Sequence, residues 1–209
     1  MARYYLSTPI YYVNDVPHVG HAYTTIAADA LTRARRLQGH EAFFLTGTDE
    51  HGQNIERIAR EKGIPEQQHC DGIAAQFRSL WKSLDIEYDD FIRTTEDRHT
   101  RGVLKLWSLL TSAVTPETPP RPAVYRGKYA GWYCPRCEAF YDEDELKQPG
   151  NVCPDHERPC EWTEEENFFF RLSTYASWLQ DEIKKDSILI EPAGRPHGEW
   201  PANRGSGNG

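Results

Sequence analysis

The feature that most constrains the fold is an alternation: from Tyr4 to about Ala113, short runs with strand character take turns with longer stretches whose apolar residues recur at helical spacing. Parallel strands can be joined only by a crossover of a dozen or more residues, and a helix supplies it. The pattern therefore argues for an α/β domain built on a parallel sheet. A first strand is expected at Tyr4 to Thr8, followed by a loop carrying Pro9 and Pro17. Ile26, Ala27, Ala30, Leu31, Ala34 and Leu37 then fall on one helical face, the expected apolar stripe, with Gly39 as a stop. A second strand reads Ala42 to Thr46, and helices fit Ile55 to Lys62 and Ile73 to Leu84, the latter with Ile73, Phe77, Leu80, Trp81 and Leu84 on one stripe. A short strand near Phe91 and Ile92 precedes a helix from about Asp97 to Ala113. The whole reads as half of a nucleotide-binding α/β sheet.

Between the first strand and the first helix stands His18-Val19-Gly20-His21. Two imidazoles spaced i, i+3 at a helix start share one face, beside free backbone N–H groups and the positive end of the helix dipole. Gly20, lacking a Cβ, lets a flat ring or a phosphate come close to the backbone. Such a place suits a nucleotide phosphate. The four residues alone are also compatible with a capped helix start bearing two solvated histidines.

Four prolines between Pro116 and Pro122 end the alternation. Beyond them, Cys134-x2-Cys137, fifteen intervening residues and Cys153-x2-His156 make two short turns, each able to offer two ligands to a tetrahedral zinc ion. The alternative is ordinary buried thiols or a disulfide pair, which would need neither Cys153 nor His156. Cys160, with three residues between it and His156, competes for the fourth place; His156 is favoured because its short loop mirrors the first turn. With four protein ligands no open position is left, so the metal is expected to be structural. Cys70, isolated in a helical pattern, reads as packing.

The formal net charge of −8 excludes a protein that coats nucleic acid by bulk electrostatics, since such binders cluster Lys and Arg on phosphates. Runs such as Asp142 to Glu145 and Glu164 to Glu166 read as solvated faces. No apolar run approaches the roughly 18 residues of a membrane span, and the chain opens without a signal-peptide pattern, so a cytoplasmic location is the expectation and no membrane partner is implied. Oligomeric state is not written in the sequence.

Thr8-Pro9-Ile10-Tyr11-Tyr12-Val13-Asn14, then His18-Val19-Gly20-His21, then Thr46-Gly47-Thr48-Asp49-Glu50-His51-Gly52, then the Cys/His cluster, stand in an order and spacing that closely resemble the amino-terminal part of the methionyl-tRNA synthetases, class I aminoacyl-tRNA ligases. The likeness runs from about Arg3 to about Pro192. It implies the first half of a class I synthetase Rossmann-like parallel sheet over residues 1–115, a connective insertion with a zinc knuckle over 116–192, and an unstructured divergent tail over 193–209. It also implies the chemistry: ATP, with Mg2+, activates methionine to methionyl adenylate, and the terminal adenosine of tRNA(Met) takes the methionyl group.

On that resemblance, His18 and His21 are the catalytic pair, donating hydrogen bonds to phosphate oxygens, and His18, Gly20 and His21 bind ATP. Asp49 holds the methionine ammonium group, and Pro9, Ile10 and Tyr12 form one wall for its side chain. Glu50, His51 and Gly52 continue the motif, Gly52 opening a helix. Cys134, Cys137, Cys153 and His156 match the ligands of relatives with a single zinc knuckle.

The lysine-rich K-M-S-K-S loop of the family occurs nowhere in these residues, and the likeness fades from Ala193 onward, so a truncated copy of low or no activity is expected, with a sheet edge and an apolar face uncovered. Thr115 to Pro122 departs from the usual short connection. Two other functions fit parts of the pattern. An adenylyl transferase of the same fold would need neither the zinc insertion nor the Thr46 to Gly52 turn; a non-catalytic zinc-containing module binding tRNA or a protein partner is a role suited to a fragment.

Overall fold

The computed structural model describes residues 1–185 and 187; Ile190 to Pro192 and the tail 193–209 lie outside the described residues. Its first sheet is wholly parallel, and every pairing in it is made to one strand, Glu41–Asp49 (β3). Arg3–Ser7 (β1) pairs with the first half of β3, from Arg3↔Glu41 to Ser7↔Leu45. Tyr11–Tyr12 (β2) pairs with its end, Tyr11↔Thr48 and Tyr12↔Asp49, and Asp90–Arg93 (β4) runs from Leu45↔Asp90 to Thr48↔Arg93. The crossovers are helical, as parallel pairing requires. Val19–Leu37 (α1) leads into β3, and Gln53–Lys62 (α2) with Glu66–Ser83 (α3) leads from β3 to β4.

The second strand is longer than Ala42 to Thr46 because Thr46 and Thr48 enter the sheet fully buried. A buried hydroxyl needs a partner, and Thr46 Oγ1 finds it in Thr8 Oγ1 at 2.8 Å. The core lies between this sheet and α3: Ile73, Phe77 and Trp81 pack with Tyr11, Val13, Phe44, Ile55 and Phe91. Each such large apolar side chain contributes about 1.5–3 kcal/mol when fully buried. Leu84, expected on the same stripe, is the C-cap of α3 and is 38% exposed.

On α1 the expected stripe is not the buried one. Ile26, Leu31 and Leu37 are exposed, while Thr25, Asp29 and Thr32 are buried, with Ala22 and Ala28 against the core. Small residues let the helix approach the sheet closely, and its polar atoms are satisfied locally. Thr25 and Thr32 donate to the carbonyls of His21 and Ala28 at 2.9 and 2.8 Å. Asp29 accepts from Arg33 Nε at 2.7 Å and from the backbone N–H of Glu87 at 2.9 Å. Gly39, with φ +80°, follows the end of α1 as expected.

Asp97–Ser112 (α4) continues the chain; Val103, Leu104, Leu106 and Leu109 on it are each more than half exposed. Val124–Cys134 (β5) is then the middle strand of a second sheet, between Ala139–Tyr141 (β6) and Glu161–Phe170 (β7). β5 and β6 pair antiparallel, from Trp132↔Tyr141 to Cys134↔Ala139. Ala176–Lys184 (α5) follows β7. The chain divides into two compact units: residues 1–109 with 128–166, and residues 110–127 with the described residues from Asn167 onward. In the second, the backbone N–H of Arg171 donates to the carbonyl of Ala123 at 2.9 Å, and its guanidinium lies 4.1 Å from the centre of the Tyr125 ring.

β3 and β4 approach so closely at Gly47 that a Cβ there would lie 2.0 Å from the carbonyl oxygen of Ile92. Gly47→Ala must separate the two strands, and a loss of roughly 3 kcal/mol or more is expected from urea unfolding midpoints. In the same assay Gly72→Ala, in open space on α3, should gain roughly 0.8–1 kcal/mol from helix propensity.

Candidate functional site

The chain leaves β2 and turns into α1 at His18, which is the N-cap and not part of the first helical turn: its backbone is extended, φ −129° and ψ 176°. The two imidazoles still meet, through a reciprocal capping arrangement. The N–H of Gly20 donates to His18 Nδ1 at 3.1 Å, and the N–H of His18 donates to His21 Nδ1 at 3.2 Å. The rings stack with centroids 3.8 Å apart. Because both Nδ1 atoms accept, the neutral rings carry their protons on Nε2, leaving two N–H donors that the cap does not use. Partial burial, and then the neighbouring His18, lower the pKa of His21 and favour this neutral form. Gly20 serves the pair directly: a Cβ there would lie 3.0 Å from His18 Cε1.

Tyr11, absent from the sequence-based set, fixes His21. Its ring lies 4.7 Å from that of His21 and stacks on Phe77 at 5.5 Å, and its hydroxyl bonds Thr25 Oγ1 at 2.9 Å. The signal was the strand alternation: Tyr11 is buried between the exposed Ile10 and Tyr12. The loop from Val13 to His18 has a second anchor, since buried His69 on α3 donates from Nε2 to the carbonyl of Val13 at 3.0 Å.

Asp49 ends β3, and the register of β2 sets Tyr12 directly beside it. Pro9 and Ile10 lie in the link between β1 and β2, both exposed. Beside Asp49, the side chain of Glu50 is fully buried. It accepts from Thr48 Oγ1 and Arg93 Nε, each at 2.7 Å, and from Thr95 Oγ1 at 2.5 Å. Arg93 reaches on to Asp71 of α3 at 2.6 Å, and these carboxylates, Glu50 first, push its pKa up. Asp49, half-buried at the end of β3, is held next to this network and accepts from Thr94 Oγ1 at 3.5 Å through Oδ1. His51 is exposed and lies 3.4 Å from the Thr94 carbonyl, and Gly52 caps α2, as expected.

The ligand atoms of Cys134, Cys137, Cys153 and His156 all lie within 4.8 Å of one another. Cys137 Sγ is 3.5 Å from Cys153 Sγ and 2.9 Å from His156 Nδ1, and all the cysteines are free thiols. A tetrahedral zinc with Zn–S of about 2.3 Å sets its sulfurs about 3.8 Å apart, so the donor set fits that ion. Both turns close alike: Glu138 after the first and Glu157 after the second each have φ 52°. Burial pushes the Cys153 thiol up, but the backbone N–H groups of His156 and Asp155 together with the Cys137 and Cys134 thiols bring its pKa down to about 6, while its neighbour Cys137 is pushed up. Cys160 is buried beside the cluster, and burial, then Cys134 and Cys153, raise its pKa; the group of four mutually close donors holds His156 and not Cys160. Cys70 is buried and, pushed up to about 11 by burial, serves as packing.

A family profile described as tRNA synthetases class I (M) matches residues 4–160. The methionine–tRNA ligase of Caldanaerobacter subterraneus subsp. tengcongensis is 46% identical over 192 residues, which is 92% of this chain and 28% of the relative. That of Thermotoga maritima is 44% identical, over 91% of this chain and 29% of the relative. The structure of Mycobacterium tuberculosis methionyl-tRNA synthetase in complex with methionyl-adenylate superposes with a TM-score of 0.82 at 36% identity, covering 92% of this chain and 37% of that one. This chain therefore spans about three tenths of the length of the curated relatives it matches. With the paired imidazoles, the Asp49 turn and the Cys/His cluster in the matched order, the chain belongs to the methionyl class I tRNA synthetases.

Proposed function

We propose that this chain carries the nucleotide-binding half of a methionine–tRNA ligase, which activates methionine with ATP and Mg2+ to methionyl adenylate and passes the methionyl group to tRNA(Met). The observation that carries the reading is the imidazole pair, with both Nδ1 atoms engaged by the cap and both Nε2–H donors spare. In activation a methionine carboxylate oxygen attacks the α-phosphorus and the bond to the bridging oxygen of the β-phosphate breaks, releasing pyrophosphate. Negative charge builds on the phosphate oxygens, and the two donors meet it without reorganising; one such contact is typically worth about 2.7–4 kcal/mol in the transition state. Asp49 receives the methionine ammonium group by a charge-assisted bond, and Pro9, Ile10 and Tyr12 border the thioether chain. The division near residue 115 between this half and a connective insertion, and a cytoplasmic setting, belong to the same proposal. Among the described residues no helix is long and apolar enough to cross a membrane.

Zinc would be held by Cys134, Cys137, Cys153 and His156. Its chemistry there is structural: it joins two turns of a small module whose own core is four buried residues, Cys134, Leu146, Cys153 and Cys160. The Cys3His cluster and the Thr46 to Gly52 turn set this reading above an adenylyl transferase.

Titration calorimetry with methioninol adenylate, which keeps the phosphate, tests the pair. His18→Asn preserves an N-cap acceptor but removes the Nε2 donor, and roughly 10- to 100-fold weaker binding is expected. Unchanged affinity would remove the imidazoles from the reading. The lowered pKa of His21 makes a separate demand on stability. Below its unfolded value of 6.5 the unfolded chain takes up a proton before the folded one, so stability is full above about pH 6.5 and falls as pH drops below it. His21→Gln, which keeps the cap but does not titrate, should show a shallower fall of the urea midpoint from pH 7 to 5. For the metal, elemental analysis should find one zinc per chain, retained in Cys160→Ser and lost in His156→Ala; the opposite pattern would make Cys160 the fourth ligand.

A further inference from the structure

Glu138, the residue after Cys137, does more than close a turn. Its backbone is left-handed, φ 52°, a conformation a non-glycine residue adopts only under constraint. Its carboxylate reaches the start of α2: Oε1 accepts from Asn54 Nδ2 at 3.2 Å, and would lie 3.0 Å from a Cβ on Gly52. Gly52 is the N-cap of α2 with φ +130° and no side-chain cap of its own, so the first N–H groups of the helix lack the usual acceptor. Gly52 also lies three residues beyond Asp49, the last residue of β3. Pro135 of the same knuckle and Gln53, Asn54 and Arg57 of α2 line a cavity of about 320 Å³ beside this contact.

We infer that Glu138 is a positioning residue: by holding the Asn54 side chain it steadies the first turn of α2 and so ties the geometry of the metal turn to the segment that follows Asp49. The inference rests on the reading of the Cys3His cluster as a zinc site. A metal bound by Cys134 and Cys137 fixes the backbone at Glu138 and aims its carboxylate at the positive end of α2, where an anion is favoured. Without the metal the turn loosens, the carboxylate leaves, and the first turn of α2 frays together with the segment that follows Asp49. Glycine at 52 is required by its backbone, φ +130°, and a Cβ there would also displace the end of the Glu138 side chain.

The readout is amide hydrogen exchange of the 209-residue chain at Glu56, whose N–H makes the first intrahelical bond of α2, 3.4 Å to the Gly52 carbonyl. Zinc content is measured on the same samples. In the wild type, chelation should speed exchange at Glu56 roughly tenfold. Glu138→Ala should keep one zinc per chain yet exchange fast with or without chelator, and Glu138→Gln, which retains an acceptor for Asn54, should recover most of the protection. Zinc-loaded Glu138→Ala as protected as wild type would overturn the inference. Fast exchange in that variant with no response to chelation in the wild type would overturn the tie to the metal. Absence of zinc from the purified wild type would instead sink the metal reading itself, and is seen in the elemental analysis before exchange is measured.

Discussion

A carboxylate with none of its side chain in water holds the functional end of the sheet together. Taking an ionised Glu out of water costs several kcal/mol, and the penalty is met only where donors surround it. At Glu50 they come from three places, Thr48 on β3, Arg93 on β4 and Thr95 just beyond, while Arg93 extends the pairing to Asp71 on α3. One buried charge therefore fixes the relative positions of two strands and a helix at the carboxyl ends of the strands, where ligands of open α/β sheets bind. Removing a single partner of such a charge typically costs about 3–5 kcal/mol. Asp49 is the neighbour of Glu50 in the chain, and Tyr12 pairs with Asp49 across the sheet.

The strand–helix alternation was legible because it rests on period: α3 buries Ile73, Phe77 and Trp81 as their spacing demands. The face of α1 was not, because the count of apolar residues looked for the greasiest stripe, whereas the sheet selected the smallest one and let Thr hydroxyls bond back into the helix. The end of β3 was read short for a related reason. Gly47, Thr48 and Asp49 look like a turn, yet the strand continues because Gly47 lets β4 come close and Thr48 is satisfied by Glu50.

Of the candidate site, the residues with distinctive chemistry were visible: two histidines, an aspartate and four soft ligands at fixed spacing. What stayed hidden were the residues that place them. Tyr11 carries no motif beyond its alternation with Ile10 and Tyr12, and His69 lies 56 residues from the Val13 carbonyl that it satisfies. Glu138 was one acidic residue in an acidic half of the chain. Such roles arise from tertiary proximity, which spacing along a sequence does not encode.

The tautomer imposed on His18 and His21 also decides what these rings refuse. With each Nδ1 lone pair taken by a backbone N–H and each Nε2 protonated, neither imidazole has an electron pair to offer outward. A cation would meet no nitrogen lone pair at either ring. His156 is the reverse case, turning a ring nitrogen toward the sulfurs. Two clusters built partly from the same amino acid are thus kept chemically apart, one presenting N–H donors and the other a ring nitrogen beside sulfurs, by which ring atom the local backbone occupies.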